Sequence, residues 1–298
     1  CAAVLPSAAA FAAAAAAGKP ELAAAAPAAL YLAAPAALLW PGNALWPRSR
    51  RLLARTLWRC ASPLSSPVTF TDFFLADVLT SLSKAVSDLE RAACVMLSSS
   101  VADRALAAAA GECGSASVHI PMALAFPYAV RLLQCCRQWW DTRDRSCLWN
   151  AAKYSTAIPV IALSAAKYHV EEETWRGALR PVWVACAAVN SSYSFYWDCT
   201  HDWDLSLFRD RACGLRARNP MLRSELLYPR AFYYWLVASN AVLRVSWTYK
   251  LSAHLRHNQG TVFVVAMLEA FRRFQWMFVR VEKAYLAVGL DAGSEHKR

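Results

Sequence analysis

Charge is scarce in this 298-residue chain. Asp, Glu, Lys and Arg make up 18% of it, where a soluble domain carries about 25%. Its ten cysteines are scattered and contain no C-x-x-C, so neither a zinc site nor a disulfide framework is signalled. The apolar N-terminus lacks a basic n-region, which argues against a signal peptide. There is no initiator Met before Cys1, so the chain reads as a fragment. A net charge of +11 has no single basic face to gather it, which removes the case for a nucleic-acid partner. What is abundant is apolar: 57% hydrophobic residues and a mean hydropathy of +0.24. Several of the thirteen tryptophans sit where apolar runs meet charge clusters, as interfacial aromatics do. The composition predicts an all-α, polytopic transmembrane helical bundle in a lipid bilayer, with no cofactor and no metal.

About eight spans are expected, over residues 1–18, 22–42, 70–100, 117–136, 147–169, 175–198, 226–250 and 259–282. The first two are rich in alanine. Residues 46–59 hold five arginines and no acid, with Leu52, Leu53, Leu57 and Trp58 among them. That is the pattern of a short amphipathic helix on a membrane surface. Residues 70–100 read as one long helix with Thr69 or Thr71 as N-cap. On it Asp77, Thr80, Ser81 and Lys84 fall at i, i+3, i+4 and i+7, and Ser87 and Asp88 extend the stripe. Flanks such as Phe73, Phe74 and Leu75 are membrane-like, so this polar stripe should face a protein interior. Residues 137–145 read as a mixed-charge loop. The Arg-rich stretches 43–66, 137–146 and 199–225 alternate with loops holding only Lys19, Arg104 and Arg256, and the acidic Glu171, Glu172 and Glu173. The positive-inside rule then puts the Arg-rich side and the C-terminus in the cytoplasm.

Five basic residues interrupt apolar spans: Arg131, Lys153, Arg244 and the adjacent Arg272 and Arg273. At roughly 3 kcal/mol each, five isolated cations would cost on the order of 15 kcal/mol, comparable with a whole domain's stability. They must meet water, an anion or acidic partners. Asp77, Asp198, Asp202, Glu269 and Glu282 are the acids in or at spans. Asp198 and Asp202 stand at i, i+4. Glu269 and Arg273 do too, and could pair within one helix. Trp247 is three residues after Arg244 and shares its face. An Arg/Lys cluster at membrane depth suits a small multivalent oxyanion, because the guanidinium fork matches phosphate oxygens. The bland reading is helix-to-helix salt bridges that fix packing, or arginines snorkelling to headgroups.

Five stretches carry a family resemblance. They are Phe-Leu-Ala-Asp-Val-Leu-Thr-Ser-Leu-Ser at 74–83, Asn-Ala-Ala-Lys-Tyr-Ser at 150–155, Tyr-Trp-Asp-Cys-Thr-His-Asp-Trp at 196–203, Leu-Arg-Val-Ser-Trp-Thr at 243–248 and Glu-Ala-Phe-Arg-Arg-Phe-Gln-Trp at 269–276. In order and spacing they resemble the EXS domain, the membrane half of eukaryotic phosphate exporters of the xenotropic retrovirus receptor type. The resemblance covers about residues 70–285, and residues 28–66 resemble the segment preceding that domain. It implies export of inorganic phosphate at the plasma membrane or a Golgi or other endomembrane, and allows a homodimer. The phosphate-facing positions it implies are Asp77, Thr80, Arg131, Lys153, Tyr154, Asp202, Arg244, Trp247, Arg272 and Arg273. Thr80 stands where many relatives have Asn, and so lacks an amide donor. The SPX regulatory domain of larger relatives has no counterpart in these residues. The chain divides on this reading into Ala-rich helices and a basic amphipathic segment (1–66), the EXS-like transport domain (67–288) and a polar tail (289–298). No internal inverted repeat is evident.

Two other functions are weighed. A membrane-embedded enzyme acting on phosphate-bearing substrates could use His201, between Asp198 and Asp202, as nucleophile or base. A Golgi membrane protein that supports retention of resident enzymes is the other.

Overall fold

The computed structural model describes residues 4–43, 46–97, 113–114, 116–206, 222–223, 225–252 and 258–295. Arg104, Arg209, Arg211, Arg216, Arg218 and Arg256 lie outside the described residues, and with them much of the charge alternation between loops. Every regular element among the described residues is helical. The chain divides into two compact units, Cys1–Leu179 and Arg180–Arg298.

In the first unit α1 (Val4–Ala16) turns back into α2 (Pro20–Leu39) through Gly18, whose φ of +65° is open to glycine at no steric cost. The guanidinium of Arg50 closes the C-terminal end of α2. It donates to the carbonyls of Trp40 at 2.5 Å and Gly42 at 2.7 Å, which no helix partner could reach. Arg50 belongs to α3 (Pro47–Ala61), the expected amphipathic segment. Next comes α4 (Phe70–Ser81), capped as the sequence predicts by Thr69. Thr69 and Asp72 form a capping box, and Asp72 also takes Arg59 of α3 through Nε at 2.9 Å to each oxygen.

The single helix expected over 70–100 is two helices. After α4 the chain turns at Leu82 and restarts as α5 (Ser83–Leu97). Thr80 Oγ1 donates to the Asp77 carbonyl at 2.7 Å, offering the backbone an alternative to its own ladder. The polar stripe is split by this turn: Asp77 and Thr80 are buried, while Lys84 is exposed and paired with Asp88. A disulfide, Cys94–Cys113, ties the last turn of α5 to residue 113. Scattered spacing gave no sign of it.

Helix α6 (His119–Thr142) runs through most of the residues expected to be a charged loop. Arg137 and Asp141 pair at 2.9 Å one turn apart, so charge there extends the helix instead of ending it. The span expected over 147–169 is again two pieces, α7 (Ser146–Ser155) and α8 (Ala157–Ala166). Pro159 cannot donate to the Ser155 carbonyl. Ser155 and Thr156 hydroxyls bond the carbonyls of Ala152 and Lys153 at 2.8 and 2.7 Å. The first unit ends in a helical turn, Glu172–Thr174, and a π-helical turn, Trp175–Leu179.

The second unit opens with α9 (Arg180–Trp197), which runs into a π-helical turn, Asp198–Asp202. Then come α10 (Arg230–Arg244), a 3-10 helix (Ser246–Leu251) and α11 (Gln259–Glu295), 37 residues long. Among the described residues no helix is long and apolar enough to cross a membrane. The all-α class is found, whereas the eight continuous spans are not. The reason is local. Two of the expected spans are halved, α7 and α8 reaching only about 15 Å each, and α6 and α11 carry buried arginines.

Asp72 serves the cap and the α3–α4 ion pair at once. Asp72→Ala should lower unfolding free energy by about 1–3 kcal/mol, against about 1 kcal/mol for Thr69→Ala. Denaturant titration of the purified variants measures both.

Candidate functional site: two clusters of buried charge

In the first unit α4, α6 and α7 each contribute to one cluster. Asp77 Oδ1 accepts from Arg131 Nε at 2.7 Å and from the Tyr154 hydroxyl. Arg131 is 2% exposed and Asp77 3%, so this is a dry pair. The guanidinium lies between two rings, 4.9 Å from the Tyr154 centroid and 5.6 Å from that of Phe73. Its NH1 donates to Gln134 Oε1 at 2.7 Å. Lys153 is buried beside it, its ammonium 4.3 Å from the Tyr154 ring. Asp77, Thr80, Arg131, Lys153 and Tyr154, five of the positions the resemblance implies, thus lie in one unit on α4, α6 and α7. Gln134 was missed, although it stands three residues after Arg131 on the same helical face.

In the second unit the centre is Asp198. Its Oδ2 accepts from Arg244 NH2 at 2.5 Å and Nε at 3.1 Å, and from Asn240 Nδ2 at 3.0 Å. Arg272 NH1 stands 3.7 Å from the same oxygen and donates to Asn240 Oδ1 at 3.2 Å. The rest of the Arg272 fork is held by Glu269, Nε to Oε2 at 3.0 Å and NH2 to Oε1 at 2.5 Å. Glu269 therefore pairs with Arg272 at i+3, not with Arg273 at i+4. The π turn gives the reason Asp198 reaches so many donors: it widens the backbone where α9 ends and turns that carboxylate onto α10 and α11. Asp198 was among the acids expected in or at spans but not among the phosphate-facing positions, and Asn240 was not picked at all. The signal for Asn240 was its place one turn before Arg244.

Arg273 lies over the Trp276 ring at 4.4 Å, and Trp276 Nε1 donates to Asp202 Oδ2 at 3.2 Å. Asp202 Oδ1 is 3.9 Å from Arg280 Nε. Trp247 sits on the 3-10 helix, edge-on to Trp183 at 5.6 Å, and its buried Nε1 has no hydrogen-bond partner among the described residues. A further knot, not expected, ties the start of α10 to α11. Glu282, 2% exposed, accepts from Leu227 N at 2.8 Å and the Tyr233 hydroxyl at 2.6 Å, and meets Arg223 NH2 at 2.6 Å. His201 is exposed and stacked flat on Trp197 at 3.9 Å, with Nδ1 2.7 Å from Thr200 Oγ1.

Both clusters set basic side chains against buried carboxylates. Around Asp198 two guanidiniums meet two carboxylates. Around Asp77 one carboxylate faces Arg131, with Lys153 beside it. A multivalent oxyanion can replace a carboxylate on such a fork without new donors.

The EXS family model matches residues 2–286 of the chain. Among similar curated proteins, the xenotropic and polytropic retrovirus receptor 1 homolog of Danio rerio is 34% identical, over 84% of this chain and 37% of its own length. Solute carrier family 53 member 1 of Mus musculus is 32% identical over the same shares. SPX and EXS domain-containing protein 3 of Dictyostelium discoideum is 32% identical, over 83% of this chain and 26% of its own length. The chain therefore spans between about a quarter and little more than a third of the length of these relatives.

Arg131→Gln should cost about 3–5 kcal/mol of stability, because it leaves Asp77 buried without its cation. Adding Asp77→Asn should return part of that loss. A double-mutant cycle followed by thermal unfolding checks the coupling, and strict additivity would show that the pair contributes nothing specific.

Proposed function

This chain belongs to the EXS family, and we propose that it exports inorganic phosphate across a membrane. The pathway is lined by Arg and Lys and balanced by Asp. The transport domain at 67–288 holds the candidate residues of both units. The observation that carries the reading is the convergence of Arg244 and Arg272 on a single oxygen of Asp198. A guanidinium pair held by one exchangeable carboxylate is a receptor for phosphate that need not bind it tightly. Phosphate takes over hydrogen bonds that Asp198 and Glu269 supply at rest, and gives them back as it leaves. With a negative cytosol the membrane potential favours exit by about 2.3 kcal/mol per charge per 100 mV.

Three further features support this reading. The helix breaks lie next to candidate residues: Leu82 after Thr80, Thr156 after Tyr154, Val245 after Arg244. Discontinuous helices at ion sites are a recurrent device of transporters. Large apolar side chains stand exposed along α6, α10 and α11, among them Met122, Phe126, Val242 and Phe263, as a lipid-facing surface requires. The Cys94–Cys113 disulfide needs an oxidising compartment. Cys94 stands in the last turn of α5 and Cys113 in the stretch after it, at the end that charge alternation assigns to the side away from the cytoplasm, with the C-terminus cytoplasmic.

The enzyme reading is weaker. His201 lies on an aromatic ring with its Nδ1 engaged by a neighbouring hydroxyl, and the relatives are named as a receptor and a solute carrier.

Phosphate flux from loaded proteoliposomes tests the pathway. Arg272→Lys keeps the charge and loses the fork, and should reduce flux roughly 10-fold or more. Arg273→Gln, with its side chain on Trp276 and outside the Asp198 knot, is the second variant. Flux equal to wild type in both, at matched insertion, would sink the assigned role. For orientation, a membrane-impermeant reductant applied to intact cells should open Cys94–Cys113 to maleimide labelling. Protection until the membrane is permeabilised would reverse the topology.

A further inference from the structure

A groove of about 220 Å³ runs between α3 and α4, walled by Leu52, Leu53 and Thr56 on one side and Phe74, Leu75 and Val78 on the other. Its walls are apolar: the Thr56 hydroxyl is spent on the Leu52 carbonyl at 2.8 Å. The volume is below the roughly 300–1,000 Å³ of pockets for drug-sized ligands, and fits a single flexible chain better than a ring system. Leu52 is nevertheless 56% exposed at its mouth. Arg48 stands four residues before Leu52 and Arg55 three residues after it, so both share its side of the helix. Both are exposed, and neither has an ion pair or hydrogen bond among the described residues. Among the described residues no acid pairs with either arginine. α3 carries no acid, and Asp72 of α4 is taken by Arg59 and Thr69. Trp58, 73% exposed, lies on the same flank as Arg51 and Arg55.

We infer that this groove binds an anionic phospholipid, one acyl chain between α3 and α4 and the headgroup on Arg48 and Arg55. The assignment rests on charge complementarity. An apolar slot with an uncompensated cationic rim fits a ligand with an apolar tail and an anionic head. It goes beyond phosphate export and is independent of it, since none of these residues belongs to the two charge clusters.

The test uses the full chain in a neutral detergent, titrated separately with dioctanoyl phosphatidylserine, dioctanoyl phosphatidylcholine and inorganic phosphate. Native mass spectrometry reads the bound fraction. Each arginine near an anionic headgroup contributes about 5-fold, so the serine lipid should bind about 30-fold more tightly than the choline lipid. Arg48→Gln/Arg55→Gln should abolish that preference while leaving choline-lipid binding in place. Ser49→Trp, which fills the groove from its rim, should weaken both lipids alike. Equal binding of the two lipids by wild type overturns the proposal, as does a preference that survives the double substitution. Phosphate binding as tightly as the serine lipid would mark a plain anion site, and overturns it too. All the altered side chains are exposed, so thermal unfolding near the wild-type temperature is expected. Phosphate flux, measured in parallel, keeps the fate of this proposal separate from that of the transport reading.

Discussion

A guanidinium in a low-dielectric interior is tolerable only opposite an anion, and both units are arranged round that constraint. In the first unit Arg131 fixes what α4, α6 and α7 must present: a carboxylate at Asp77, an amide at Gln134, and the rings of Phe73 and Tyr154. In the second unit two arginines draw on Asp198, Glu269 and Asn240. These interactions cross between helices that share little conventional apolar core. Small residues such as Ala76 and Cys135 allow the close approach that short ion pairs need. The polar contacts therefore specify which helices meet and in what register, while apolar side chains are left largely on the outside.

The same constraint explains why the helices break where they do. A regular helix presents one side chain per 100° and cannot bring several polar groups from one short stretch to a single point. A turn at Leu82, a joint at Thr156, a 3-10 stretch after Arg244 and a π turn at Asp198–Asp202 each re-aim the chain next to a charged residue. Hydroxyls next to these breaks, those of Thr80, Ser155 and Thr156, bond back to the carbonyls three residues before them. Irregular backbone and buried charge are thus two sides of one solution.

Much of this was legible from residue types alone. Energetics singled out Arg131, Lys153, Arg244, Arg272 and Arg273 because each interrupts an apolar run, and the structure buries four of them below a tenth exposed and leaves Arg244 only slightly more open. Of the two cap candidates in the sequence, Thr69 and Thr71, the structure uses Thr69. Continuous spans did not survive, because hydropathy averages over a window and does not register a hydroxyl bonding back three residues or a proline withholding one donor. The partner of each arginine was also hidden. Glu269 serves Arg272 instead of Arg273 because helix geometry permits both spacings, and only the position of Asn240 and Asp198 decides between them. The Cys94–Cys113 bridge joins residues nineteen apart in sequence, and no spacing rule distinguishes that pair among ten cysteines.

The joint between α7 and α8 has a consequence for polarity. Pro159 withholds the N–H that would meet the Ser155 carbonyl, while the hydroxyls of Ser155 and Thr156 are spent on the carbonyls of Ala152 and Lys153. The bend therefore carries a backbone oxygen without its helical donor, directly after Lys153 and Tyr154. A carbonyl oxygen does not titrate, so its partial negative charge stays at this end of the polar cluster whatever the pH.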